Sequence, residues 1–142
     1  MAVFNKKIVI KTEKDFTDIT KDIKDFVKEC GMSNGLVNVF PQHTTACIKI
    51  MENEILSLCD ISLHLEKHAP ANGQYNHDMI GLRNVPITER INGHSHVKTL
   101  YFQTSETIPI FNGELAIGEW QSIMLVELDP IRERSIVITI IG

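Results

Sequence analysis

The sequence predicts a single α+β domain, residues 1–142, with two main helices on a mostly antiparallel sheet. Two segments carry apolar residues at helical spacing, while the rest of the regular sequence is short alternating or β-branched runs. The links between the late strands are tight enough for antiparallel neighbours, and helices segregated from such strands define the α+β class.

The first strand is expected over residues 4–11, where Phe4, Lys6, Ile8 and Ile10 alternate with Asn5, Lys7, Val9 and Lys11. Over 16–30, Phe16, Ile19, Ile23, Phe26, Val27 and Cys30 recur three and four apart, and Gly31 stands where a helix C-cap belongs. Residues 35–40 and 46–51 read as strands joined by Pro41-Gln42-His43-Thr44-Thr45, which sets His43 at a strand mouth. Residues 55–68 form the second helix, apolar on a broad face, with Glu52-Asn53-Glu54 suited to its N-terminus.

From 68 to 93 the period breaks at Pro70, Gly73, Gly81, Pro86 and Gly93. A connection this long without regular structure is uncommon in a compact domain unless it is functional or disordered, and its histidines argue for function. Residues 94–101 fit either a short helix or a strand. The choice matters: His94 and His96 share a face on a strand but point about 160° apart on a helix. Strands at 107–111 and 114–116 flank the hairpin pair Asn112-Gly113. Further strands are expected at 121–128 and 135–141, with 129–134 as their link.

Length and composition bound the function. A chain of 142 residues needs no disulfide staple, and Cys30, Cys47 and Cys59, odd in number and without a Cys-x-x-Cys pair, read as small apolar residues of a reducing compartment. With a formal net charge of −4 and no cationic run, nucleic acid is not an expected partner. Neither a signal-peptide core nor a membrane-length apolar run is present, so the expectation is a cytoplasmic protein with no membrane partner. Phosphate-loop, Gly-x-Ser-x-Gly and His-Glu-x-x-His motifs are absent too, which removes the common nucleotide hydrolase, serine hydrolase and metalloprotease readings.

The chemistry concentrates in the histidines. His68, His77, His94 and His96 fall within residues 68–96, and His43 opens the Thr-rich turn. Imidazoles bind zinc and similar ions and move protons near neutral pH. Asp78, next to His77, is a candidate to orient a ligand ring or act as a base, with loop capping as its plain alternative. Trp120 and Gln121 offer a stacking surface and an amide, although core packing is the ordinary role of such a tryptophan. Glu127 shares a strand face with Gln121, Ile123 and Leu125. A carboxylate in that row needs a partner, either as a site residue or in an ion pair across subunits. Thr44 and Thr45 suit phosphate or a turn. His64 and His68, on the second helix and its end, are read as structural.

His43-Thr44-Thr45-Ala46, Glu52-Asn53-Glu54, Tyr75-x-His77-Asp78, Asn92-Gly93-His94-Ser95-His96, Gly118-x-Trp120-Gln121 and Glu127-x-Asp129, ending in Ile140-Ile141-Gly142, occur in the order of the YjbQ family. The chain resembles that family nearly end to end. The resemblance implies a small α+β fold assembled as a homotrimer, with the histidine segments in a cleft near a subunit boundary. It also implies a weak thiamine-phosphate synthase activity, a transferase reaction joining hydroxymethylpyrimidine diphosphate to a thiazole phosphate with release of pyrophosphate. His43, His77 and His96 match the family's histidine positions and are the expected ligands of a divalent metal ion, zinc or magnesium; the residue at the position of His94 need not be histidine in the family, and His94 is either an extra ligand or an exposed residue after Gly93. The expected catalytic residues are His77, Asp78, Trp120, Gln121 and Glu127. Two functions follow: an enzyme acting on a small phosphorylated or heterocyclic substrate, or a module that binds a metal or metabolite without turnover.

Overall fold

A computed structural model describes all 142 residues. Eight strands and three helices follow in the order β1 (Val3–Thr12), β2 (Phe16–Asp18), α1 (Thr20–Cys30), β3 (Gly35–Pro41), β4 (Ala46–Met51), α2 (Ile55–His68), α3 (Gly93–Lys98), β5 (Glu106–Phe111), β6 (Glu114–Leu115), β7 (Ser122–Glu127) and β8 (Arg132–Ile141). Single 3-10 turns occur at Asn76–Asp78, Ile80–Leu82 and Thr99–Tyr101. This is the α+β class expected.

The strands form two sheets in which every pairing is antiparallel. One has the order β1-β8-β3-β5-β6 and the other β2-β7-β4. Alternation decides which faces are buried. Ile136, Ile138 and Ile140 of β8 face Val37 and Val39 of β3, Ile48 of β4, Ile123 and Leu125 of β7, and Ile23, Phe26 and Val27 of α1 in the main core. The opposite side of the smaller sheet carries a second core, where Cys47, Met124 and Val126 pack with Leu65 of α2 and partly cover Leu58 and Ile61. The outer face of the larger sheet has no covering layer: Val3, Ile141 and Leu36 lie in one cross-strand row, with Val9, Phe40 and Phe111 nearby, all exposed.

Several local expectations need correction. The first helix begins at Thr20, not at Phe16, because the Asp18 carboxylate accepts the Thr20 N–H at 2.8 Å and Phe16 is committed to β2. Gly31 does cap the helix, with φ of 63° in the left-handed region. The last strand starts at Arg132 rather than 135, since Lys11 and Thr12 extend β1 opposite it. The hairpin forms as expected, with Asn112 and Gly113 both at positive φ. No helix is long and apolar enough to cross a membrane.

Candidate functional site

The Pro41–Ala46 turn, the 69–92 connection, α3 and the start of β8 meet at one end of the two sheets and enclose a cleft of about 930 Å³. His43, His77 and His96 all line it, so the structure brings together the three histidines singled out from sequence.

Each histidine is placed differently. The ring of His43 continues the β3–β8 ladder past its end: Gln42 N–H donates to Ser135 O at 3.0 Å, and Ser135 N–H donates to His43 Nε2 at 2.8 Å. An imidazole accepting at Nε2 carries its proton on Nδ1. His43 therefore presents an N–H donor. His77 lies on the 3-10 turn Asn76–Asp78, and His96 one turn into α3, with ring centroids 4.3 Å apart. Both bond through their backbone, His77 O accepting from Arg83 Nη1 at 3.0 Å and His96 O from Thr99 Oγ1 at 2.6 Å, which leaves the rings to the cleft. Burial, then the nearby His77 and Arg83 charges, push the His96 pKa below the ordinary imidazole value; burial and then Arg134 do the same for His43. Both are neutral at pH 7, the state in which an imidazole offers a lone pair.

The helical state of residues 94–101 resolves the question of His94. Two residues from His96 on a helix, it turns away from the pair and its Nε2 lies 3.1 Å from Ser95 Oγ. The Ser95 hydroxyl donates to Leu128 O at 2.5 Å, so the His94 ring donates to Ser95 and its Nδ1 is left buried without a partner.

The histidine pair is held by carboxylates that do not themselves face it. Asp78 Oδ1 accepts Gly93 N–H at 2.8 Å and so latches the His77 turn to the first residue of α3. That bond is a loop-capping contact, and Asp78 does not line the cleft. Asn92 Nδ2 donates to Asp129 Oδ2 at 2.8 Å, and Asp129 also pairs with Arg132 at 2.7 Å and Arg90 at 2.9 Å. Beneath them Glu127, 1% exposed, takes both Arg134 Nε (2.6 Å) and Nη2 (2.5 Å), the Thr12 hydroxyl (2.7 Å) and the Asp129 N–H (2.8 Å). Arg134 Nη2 also reaches Thr45 Oγ1 at 2.9 Å. Burial alone would raise the Glu127 pKa, but these donors outweigh it and hold the carboxyl below the ordinary range. The partner of Glu127 thus lies in its own chain, so neither alternative, a residue open to the cleft or an ion pair across subunits, is needed to satisfy its charge.

Trp120 and Gln121 are not in this cleft. They precede β7, whose other end carries Glu127, roughly 20 Å away at the rise of an extended strand. Gln121 Oε1 accepts Gly118 N–H at 2.7 Å, and Trp120 is 72% exposed, so core packing is not its role. Of the threonines, Thr44 lines the cleft openly and Thr45 is buried against Arg134. Glu54 caps α2 by accepting from Leu56 N–H and Ser57 N–H, both at 2.9 Å.

Sequence reasoning missed the arginines. Arg83, Arg132 and Arg134 line the cleft against a single acid, Glu89. Arg132 and Arg134 had a readable signal, because they are in phase with the inward row Ile136, Ile138 and Ile140. Arg83 had none, lying in an aperiodic loop. It is also the one of the three without a carboxylate partner.

A metal fits the cleft in part. His77 and His96 are close enough to share an ion, whereas the Nε2 lone pair of His43 is already engaged. No three His, Cys, Asp or Glu side chains of the chain gather closely enough to hold one on their own. Any ion there would take its other ligands from water or substrate, as open catalytic sites do.

Residues 6–142 match the family model described as UPF0047 protein YjbQ-like. A UPF0047 protein of Methanothermobacter thermautotrophicus is 33% identical, covering 100% of this chain and 94% of its own length. Among solved structures, a YbjQ-like protein of unknown function from Sulfolobus solfataricus P2 superposes with a TM-score of 0.87 at 29% identity, over 99% of this chain and 98% of that one. An uncharacterised conserved protein of the yjbq/upf0047 family from Clostridium acetobutylicum gives 0.81 at 36% identity, over 95% and 98%.

Proposed function

Because the chain belongs to the YjbQ family, we propose that the cleft of His43, His77 and His96 is the active site of a small-molecule enzyme for a phosphorylated heterocyclic substrate. The reaction class is the joining of hydroxymethylpyrimidine diphosphate to a thiazole phosphate. The observation that carries this reading is the charge of the lining: the Arg83 guanidinium, bonded to His77 O but to no carboxylate, beside two open imidazoles, with Glu89 as the only acid among the lining residues. Such a lining suits phosphate oxygens, which arginine grips in two-point fashion.

In that reaction the thiazole nitrogen forms a C–N bond to the pyrimidine methylene as the C–O bond to diphosphate breaks. The bonding pair leaves on pyrophosphate, so negative charge grows at one place. Donors aimed there lower the barrier; Arg83 and the Nδ1–H of His43 are the groups to supply them. A divalent ion, zinc or magnesium, held by His77 and His96 would add Lewis-acid neutralisation of the same charge.

The assembly proposed is a homotrimer. Its support is the uncovered face of the larger sheet, where Leu36, Val3 and Ile141 align and Leu36 is 50% exposed. Trp120 and Gln121, remote from the cleft within one chain, enter an active site only from a neighbouring copy. A second reading, binding without turnover, is favoured by one fact: Asp78, the carboxylate nearest the histidine pair in sequence, is spent on Gly93.

The test is to measure metal content, pyrophosphate release from the two substrates, and mass by light scattering for the wild type, His77→Ala and His96→Ala. The enzyme reading expects each variant to lose at least about tenfold in turnover, within the range of a transition-state contact, while remaining trimeric. Substrate binding with no pyrophosphate from any form would transfer support to the binding module. Unchanged metal content and turnover in both variants would remove the cleft assignment.

A further inference from the structure

A second histidine pair lies outside the cleft. His64 and His68 are four residues apart on α2, hence on one face a single turn apart, and their ring centroids are 4.4 Å apart. Both are exposed. Tyr101 closes one side of the pair, its ring centroid 5.6 Å from that of His64 and 6.0 Å from that of His68. Asp60 stands one turn before His64 on the same face, and Asp60, His64 and Tyr101 share the rim of a separate depression of about 530 Å³. None of these residues lines the histidine cleft.

Packing does not explain the pair. Leu65 is the buried residue of α2, and neither imidazole is needed to hold the helix on the smaller sheet. Nor does either ring engage a carboxylate: the nearby ion pair, Lys98 with Glu66 at 3.0 Å, leaves both out. What remains is two imidazoles at chelating spacing on a rigid scaffold. The spacing repeats the two-histidine portion of helical zinc motifs, in which side chains at i and i+4 grip one ion. His68 is moreover the last residue of α2, where the carbonyl end of the helix dipole favours a cation.

We propose that His64 and His68 form a second, surface metal site that chelates one divalent transition ion of the imidazole-preferring class, nickel, copper or zinc. Two protein nitrogens leave the rest of the coordination sphere to water and to Asp60 through water. The site is independent of the function proposed for the cleft. Calcium and magnesium, which demand oxygen ligands, are not its ions.

The experiment titrates metal-free protein with Ni²⁺ by calorimetry in a His77→Ala/His96→Ala background, which silences the cleft pair. One equivalent is expected to bind there. Adding His64→Ala or His68→Ala separately should each weaken that binding at least about tenfold, since loss of either imidazole turns a chelate into a single contact. Circular dichroism checks that α2 persists. Addition of Mg²⁺ should give no heat at any position. The proposal is overturned if the background variant takes up no Ni²⁺, or if either single substitution leaves the affinity unchanged, which would mean isolated imidazoles bind the ion one at a time.

Discussion

Arg134→Ala is expected to lower stability by about 3–5 kcal/mol, because removing one member of a buried pair leaves the other charge uncompensated. For a domain of this size that is a fall in unfolding midpoint on the order of 10 °C. The substitution abandons a bidentate contact to Glu127 and a bond to Thr45, in a position only 4% exposed. Urea denaturation followed by fluorescence or circular dichroism gives the difference directly. Replacing both partners with apolar residues, Glu127→Leu/Arg134→Met, should recover part of the loss, since the pair's desolvation cost disappears while the Thr12 hydroxyl and the Asp129 N–H lose their acceptor. A loss below about 1 kcal/mol in Arg134→Ala would show that water reaches Glu127 and that the pair is not a structural anchor.

The same pair makes the protein acid-sensitive in a defined direction. Burial pushes the Glu127 and Asp129 carboxyls up, but their arginine and amide donors more than offset it and both lie below the ordinary carboxylate value. The unfolded chain then binds more protons than the folded one, so the stability these two carboxylates contribute is full above about pH 5 and declines as pH falls through their folded values. His43, His94 and His96, pushed down chiefly by burial, act in the same sense at higher pH, with loss beginning below about pH 6.5. Arg134→Ala removes the largest of the contacts that hold the Glu127 carboxyl down and leaves only the Thr12 and Asp129 donors against burial, so the variant's deficit should shrink as the medium is acidified.

Gly93→Ala is expected to damage the cleft more than the fold. A Cβ at Gly93 would come within 2.4 Å of the Tyr75 Cβ and 3.0 Å of Asp78 Oδ1, so the 75–78 turn must retreat from α3. The retreat breaks the Asp78 to Gly93 latch that sets His77 against His96. Overpacking of this kind costs about 1–3 kcal/mol in stability, and the displaced His77 should lose at least about tenfold in metal or anion affinity, equivalent to about 1.4 kcal/mol. Asp78→Asn, which keeps the acceptor oxygen, should be much milder. If Gly93→Ala binds as the wild type does, the latch does not position the pair.

Periodicity revealed the architecture where one element meets one environment. The bounds of α2 and β4 followed from apolar spacing and β-branched content, and the Asn112-Gly113 turn from its need for positive φ. It misled where a side chain answers to a neighbour distant in sequence. Phe16 keeps helical spacing with Ile19 but belongs to a strand paired with Val126, and Arg132 and Arg134 read as linker because their acidic partners, Asp129 in the link itself and Glu127 at the end of the preceding strand, are met only once the chain has folded back. The site was legible as a set of histidines but not as a geometry. Whether His94 joined His96 depended on a six-residue helix too short for any period to settle, and Arg83 enters the cleft through a loop whose path only tertiary packing decides.

The imidazole at the end of the β3–β8 ladder carries one more consequence. Because Ser135 donates its amide proton to His43 Nε2, the electron density of that ring is felt by a backbone proton of the sheet. A ligand that draws on Nδ1 in the cleft polarises the ring and shifts the Ser135 amide resonance, while a ligand held elsewhere leaves it still. The protein thus contains its own spectroscopic gauge of cleft occupancy: a titration read at a single amide in a nitrogen–proton correlation spectrum, with no label attached to substrate or metal.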